Sequence, residues 1–251
     1  MISIVTICYN DKSGLKKTIN SVQSQTYRDY EHIIVDGNSN DGTKELLRSI
    51  NDIKCKWVSE QDNGIYDAMN KGIKMSNGEW IIMLNSGDEF ADSMVLQYVF
   101  NKDIPNHINV IFSDYYRYLS NGDKIRCEID LINRPSFNHQ NTIYRKKLHY
   151  EHGYYAVTKK IIISDIIFFY QIPIDQMMKI DKVIAVFDSG GVSSQGSWSL
   201  QQWLCADVVF RRRSFSNMVL TYYAKKIKSI IPNEWKYIIK YKLGFLHGYK
   251  F

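Results

Sequence analysis

Paired cysteines are missing from this chain. Its four (Cys8, Cys55, Cys127, Cys205) are scattered and form no CxxC pair, which argues against a disulfide framework or a structural zinc site and fits a reducing compartment. Long apolar runs are missing too. A stretch such as IIISDIIFFY at 161–170 is interrupted by charge and falls short of the roughly 20 residues that a membrane helix needs. Met1 opens directly into a strand-like run, so no signal peptide is expected. No internal repeat or low-complexity linker is found, so one α/β domain with a helical extension is expected.

What is present points to a folded protein. Hydrophobic residues make up 45% of the 251 and aromatic residues 14%, enough for a substantial core and far from a disordered profile. The formal charge of +6 is unevenly spread. Residues 211–251 hold three Arg and seven Lys against one acid, Glu234. The rest of the chain is therefore slightly acidic, and nucleic acid is not an expected partner.

The first ninety residues alternate two periodicities. ISIVTIC (2–8) is an apolar, β-branched run and predicts a buried strand. Leu15, Ile19 and Val22 then predict a helix over 13–25, with Ser13 as its N-cap. Strands are predicted at 31–37, 54–59 and 79–84, and helices near 43–50 and over 64–75. Such alternation implies a mainly parallel sheet with right-handed crossovers. Later segments predict a helix at 92–100, a strand at 108–114, a hairpin over 115–129 turning at Asn121-Gly122, a strand at 140–147, a short helix at 164–171 and a strand at 182–188 closed by Gly190-Gly191. The last fifty residues read as helical throughout.

Ligands of open parallel α/β sheets bind beyond the carboxyl ends of the strands. Every strand end of the first half is polar there: Thr6, Tyr9 and Asn10, then Asp36 with NSNDGT, then EQDNG (60–64), then NSGD (85–88). Asp, Asn and Gly also occur in loops because they turn well. Four such ends on one sheet edge nevertheless favour a site.

VTICYN (5–10), VDGNSNDGT (35–43), DNGIYDAMNKG (62–72) and GEWIIMLNSGDEF (78–90) together resemble the family 2 glycosyltransferases of the GT-A fold. The likeness runs in order over 2–90, continues weakly to about 191 and is lost beyond. It implies a GT-A-type, Rossmann-like sheet over 1–190, with a nucleotide-sugar half at 1–90 and an acceptor half at 91–190, followed by a basic helical extension at 191–251. It also implies a UDP-sugar donor and inversion at the anomeric carbon.

Site residues follow from that resemblance. Asp36 resembles the aspartate that accepts from the uracil N–H, or else it caps its own loop. Thr6 and Tyr9 resemble first-strand contacts to the nucleotide, with Tyr9 covering the base; Asn10 joins them or shapes the turn. Asp67 would contact the nucleotide or sugar, whereas Asn70 and Lys71 share a helix face that is by default solvated. NSGD stands where the family commonly has a DxDD-like metal motif. Asn85 and Gly87 replace two acids and Asp88 remains, with Glu89 beside it. Magnesium or manganese is the implied cofactor, since Mg²⁺ uses one or two protein carboxylates and keeps several waters. NRPSFNHQNTIYRKKLH (133–149) resembles the segment whose His139 and Gln140 meet the acceptor or diphosphate. Asp165 resembles the acid that opens a short helix and is the expected general base, with capping as the alternative and Asp175 as a substitute.

Toward the C-terminus, Trp235, Ile238, Ile239, Leu243, Phe245 and Leu246 share one helical face after Pro232. With RRR (211–213) and KKIK (225–228) this suits an interfacial anchor on an anionic membrane, or a helix packed on the domain. A lipid-linked saccharide acceptor at the cytoplasmic face of a bacterial membrane, in surface-polysaccharide or O-antigen synthesis, is the expectation. No clear QxxRW segment occurs (QQW at 201–203 is not one), so single additions are expected. The alternatives are a sugar-phosphate nucleotidyltransferase, for which YNDKSG is a poor glycine-rich loop, and a non-catalytic surface-binding module.

Overall fold

Seven strands form the main sheet of the computed structural model, in which residues 1–119, 121–129, 138–187 and 196–230 are described. Four of them come from the first ninety residues: β1 (Ile2–Cys8), β2 (Tyr30–Asp36), β3 (Cys55–Ser59) and β4 (Trp80–Met83). β1 lies between β2 and β4, β3 lies outside β2, and all these pairings are parallel. The seven residues of β1 are all buried, which is why ISIVTIC carries no polar alternation. Burying each such aliphatic side chain contributes about 1.5–3 kcal/mol.

Helix α1 (Lys12–Gln23) takes its N-cap two residues earlier than the expected Ser13. Its N-cap is Asp11, whose carboxylate accepts from the Gly14 N–H. A side chain at Gly14 would collide with that same carboxylate, so the residue keeps the cap in place. Helix α2 (Thr43–Arg48) follows β2, and α3 (Ile65–Met75) lies against β1 and β2. Gly72 gives α3 its close approach, since a Cβ there would lie 2.3 Å from Val5 Cγ1.

The second half completes the sheet and adds another. β6 (Val110–Ser113), β9 (Thr142–Arg145) and β10 (Met177–Ile180) extend it in the order β10-β6-β9-β4-β1-β2-β3. The strand expected over 140–147 is the shorter β9, and it runs antiparallel between β4 and β6. Its start therefore lies at the edge where β1 and β4 end. β10 was not foreseen, because MMKI is four residues long and only its last residue is β-branched. The hairpin β7 (Tyr115–Tyr118) and β8 (Lys124–Cys127) belongs to a separate four-stranded sheet with β5 (Glu89–Phe90) and β11 (Ala185–Phe187). Helices α4 (Val95–Phe100), α5 (Leu148–His152) and α6 (Ser164–Tyr170) complete this half. The fold is thus the expected α/β one with a mainly parallel central sheet.

By contacts the chain divides into Met1–Ser194 and Gln195–Phe251. In the second unit, α7 (Gly196–Val209) and α8 (Phe215–Ile230) pack together, tied by Gln201 Nε2 donating to the Tyr222 hydroxyl at 3.0 Å. QQW lies within α7. Arg211 at φ +55 marks the break between the helices, and Arg213 Nε donates to buried Asp207 at 3.1 Å. The apolar face at 235–246, Pro232, residues 133–137, Gly190-Gly191 and the expected boundary at 190/191 lie outside the described residues.

Candidate active site

At the first two strand ends, side chains bind one another's loops. Asn10 has φ +50; its N–H donates to Ser39 Oγ at 2.7 Å, and its Oδ1 accepts from the Asn40 N–H at 2.9 Å. It therefore shapes the turn. Asp36 is fully buried. One carboxylate oxygen accepts from the Ser39 N–H (3.1 Å) and Ser59 Oγ (2.6 Å), and the other accepts from Ser39 Oγ. These bonds belong to the loop-capping alternative. Thr6 corrects its expectation outright: it is fully buried inside the sheet and bonded to His32 Nε2 at 2.9 Å.

The carboxylate bordering Tyr9 is Asp62, which sequence reasoning did not select. A Cβ on Gly37 would lie 3.0 Å from Asp62 Oδ2 and 3.2 Å from the Tyr9 ring, so Gly37 floors a cradle between them. Tyr9 is 69% exposed, as a ring waiting to be covered would be. Lys71 Nζ holds Asp62 Oδ1 at 2.6 Å and Glu60 at 2.9 Å, and lies 3.7 Å from Asp67. Burial, opposed by Lys71 and aided by Asp67 and Glu60, raises the Asp62 pKa. Asp67 accepts from the Asn63 N–H at 2.9 Å, so it fixes the DNG turn at the start of α3. Three acids around one lysine within twelve residues was the signal available in the sequence.

NSGD forms a turn after β4, with Gly87 at φ +93. Asp88 points inward, 7% exposed, and its Oδ2 accepts from the Asn85 N–H at 2.9 Å. Burial pushes its pKa up to about 7 against the pull of His139, the Asn85 N–H and Gln140. Asn85 Oδ1 is buried without a partner. Glu89 is already engaged by Lys17 at 2.9 Å and by the Tyr118 hydroxyl. Among the described residues no group of three His, Cys, Asp or Glu side chains could hold a metal ion. Asp88 and the orphaned Asn85 oxygen are nevertheless two hard oxygen donors on one turn. That set fits Mg²⁺ or Mn²⁺ if phosphate oxygens and water supply the remainder.

His139 joins this turn to the second half. It opens a 3-10 turn (His139–Asn141) immediately before β9. Its Nε2 lies 3.0 Å from Asn85 Nδ2, and its Nδ1 lies 2.8 Å from Asp165 Oδ2. Asn85 Nδ2 can donate to Nε2 when the ring proton sits on Nδ1, facing the carboxylate. Asp165 Oδ1 accepts from the Tyr66 hydroxyl at 2.8 Å. The N-cap of α6 is Ile163, and Asp165 turns toward His139 and Tyr66. Burial would raise its pKa, but His139 first and then Tyr66 hold it below the ordinary carboxylate value. Asp175, the substitute base, lies in a separate 3-10 turn, Ile174–Gln176. Asn85, Asp88, His139, Gln140 and Asp165 thus come together, with Tyr66 added.

The glycosyl transferase family 2 model matches residues 3–167. An uncharacterized glycosyltransferase of Mycobacterium tuberculosis is 42% identical over 91 residues, 36% of this chain and 35% of that protein. Glycosyltransferase AglE of Haloferax volcanii is 35% identical over 89 residues, 34% and 29% of the two chains. These matches span about a third of the relatives' length. Among solved structures, S. aureus TarS 1–349 in complex with UDP-GlcNAc superposes with a TM-score of 0.67 at 17% identity, over 82% of this chain and 66% of that one. The mannosyltransferase PcManGT of Pyrobaculum calidifontis, in complex with GDP-Man and Mn²⁺, gives 0.65 at 13% identity, over 85% and 64%. Both share the fold.

Proposed function

The chain belongs to glycosyl transferase family 2, and from that premise we propose that it moves a sugar from a UDP-sugar to an acceptor hydroxyl with inversion. The observation that carries this reading is the contact between Asn85 of the β4 turn and His139, whose other nitrogen meets Asp165. That contact brings the β4 turn and the Asp165 carboxylate to one sheet edge, which supports reading the turn as the diphosphate side and Asp165 as the base.

Tyr9 would cover the nucleobase, and Asp62 would accept its ring N–H. A carboxylate suits uracil N3–H, and also guanine N1–H, whereas cytosine and adenine have no such ring donor. The nucleotide-sugar complexes of TarS and PcManGT support a donor of this class. Asp88 and Asn85 Oδ1 would hold Mg²⁺ or Mn²⁺ together with the diphosphate; when bound, that cation supplies neutralising charge for the departing nucleotide. Asp165 takes the proton of the acceptor hydroxyl as its oxygen bonds to the anomeric carbon. The bond from that carbon to the β-phosphate oxygen breaks, and UDP leaves with the electron pair.

A lipid-linked saccharide acceptor at the cytoplasmic membrane face is supported by the second unit. Residues 208–230 contain six Arg or Lys and no acid. Leu220, Tyr223 and Ile227 are exposed on α8 at helical spacing, a combination suited to an anionic lipid surface. No helix among the described residues is long and apolar enough to cross a membrane.

The test is turnover. The protein with Mn²⁺ or Mg²⁺, a panel of UDP-sugars with GDP-mannose as comparator, and undecaprenyl-diphosphate-linked sugar should release UDP and extend the lipid. No turnover across the panel, with UDP still bound, would favour a non-catalytic module. Turnover only with GDP-mannose would move the assignment to guanine.

A further inference from the structure

We propose that Tyr66 is a positioning residue for the transfer reaction, holding the base carboxylate at a fixed distance from the donor. This rests on the reading of Asp165 as the base. The Tyr66 hydroxyl donates to Asp165 Oδ1 across 99 positions of sequence, and the Tyr66 side chain is buried. With His139 on Oδ2 and the Ile166 N–H also bonded to the carboxylate, the plane of the group is fixed. An ionised carboxylate offers about four lone-pair positions, and those left open have defined directions.

The placement of Tyr66 gives the bond its consequence. Tyr66 lies on α3, the helix seated on β1 and β2 through Gly72. The same helix begins with the Asp62-Asn63-Gly64 turn that borders the nucleobase cradle. One turn further along, Asn70 grips the backbone of Tyr155, donating to its carbonyl at 2.8 Å and accepting from its N–H at 3.0 Å. The Tyr155 ring packs against that of Tyr66 at 5.7 Å between centroids. Helix α3 thus carries the donor turn at its start and two grips on the acceptor half along one face. Tyr66 is the grip that ends on the reacting group. A displacement of about 1 Å at a reacting group can cost on the order of 100-fold in rate.

Tyr66→Phe removes one oxygen and keeps the ring, so it is the variant to make. With the donor and acceptor pair found in the turnover screen, kcat should fall about 10- to 100-fold. The KM for the donor and the calorimetric affinity for UDP should stay within about twofold. Tyr66→Phe added to Asp165→Asn should cost nothing more. An unchanged kcat in Tyr66→Phe, beside an inactive Asp165→Asn, would overturn the positioning role alone. Loss of UDP binding in Tyr66→Phe would also overturn it, since the hydroxyl would then be holding the fold. An active Asp165→Asn would remove the base reading itself, whatever Tyr66→Phe does.

Discussion

Side chains at the first three strand ends find their partners within about thirty positions of sequence, whereas the Asp165 cluster draws on contacts of up to 99. Asp36 bonds Ser39 three residues on, Asp67 bonds Asn63 four residues back, and Lys71 reaches Asp62 nine residues back. His139 meets Asn85 across 54 positions and Asp165 across 26, and Tyr66 meets Asp165 across 99. The donor edge can therefore take shape as each βα unit forms. The Asp165 cluster, the proposed base, is assembled only when both halves have docked. Damage to the first should appear as lost affinity, and damage to the second as lost rate.

The sharpest test of that contrast is Asp165→Asn. It should lower kcat by about 10³-fold while UDP affinity, measured by calorimetry, stays within about twofold. On the other side, Asp88→Ala should weaken donor binding in the presence of Mn²⁺ by about tenfold or more and reduce the effect of the metal. Metal dependence equal to that of the wild type would remove Asp88 from the site.

Acid should destabilise both halves, since each buries a neutral histidine. Burial lowers the pKa of His32, in β2, and of His149, stacked on Phe168, to about 4 in each case. Below 6.5 the unfolded chain binds protons that the folded one refuses. The stabilisation is thus complete above 6.5 and is lost as pH falls toward 4. Each histidine should cost about 2 kcal/mol between pH 7 and pH 5, read as a fall in Tm. Asp88, with its pKa raised to about 7, works in the opposite direction, so the fall is read in Asp88→Asn; a flat Tm in that variant would mean that the two rings titrate normally. The smallest effect should come from Gly37→Ala, whose methyl would press on Asp62 and Tyr9. A rise in donor KM of about three- to tenfold, with kcat unchanged, is expected.

Legibility in the sequence followed the same division. ISIVTIC, EHIIVDG and EWIIML announce buried parallel strands, and their polar ends do lie along one sheet edge. Asp88, His139, Gln140 and Asp165 were selected and do converge. Thr6 was misplaced because a strand-end threonine can face the core as readily as a ligand, and buried His32 supplies its partner. Asp62 was passed over in favour of Asp67, since spacing alone does not tell which acid of DNGIYD turns toward a neighbouring loop. Tyr66 and Asn70 had no readable role, because their partners lie about a hundred residues away in the chain. β10, β5 and the gathering of β5, β7, β8 and β11 into a sheet of their own had no signal for a related reason: these pairings are largely non-local and the strands are short.

The antiparallel strand β9 carries a consequence for how the chain can be cut. It fills the gap between β4 and β6, so a fragment ending before residue 142 would leave β4, buried along its whole length, as an open apolar edge. Such edges invite pairing between chains. The first ninety residues hold every donor-side motif, yet expressed alone they should aggregate rather than bind nucleotide.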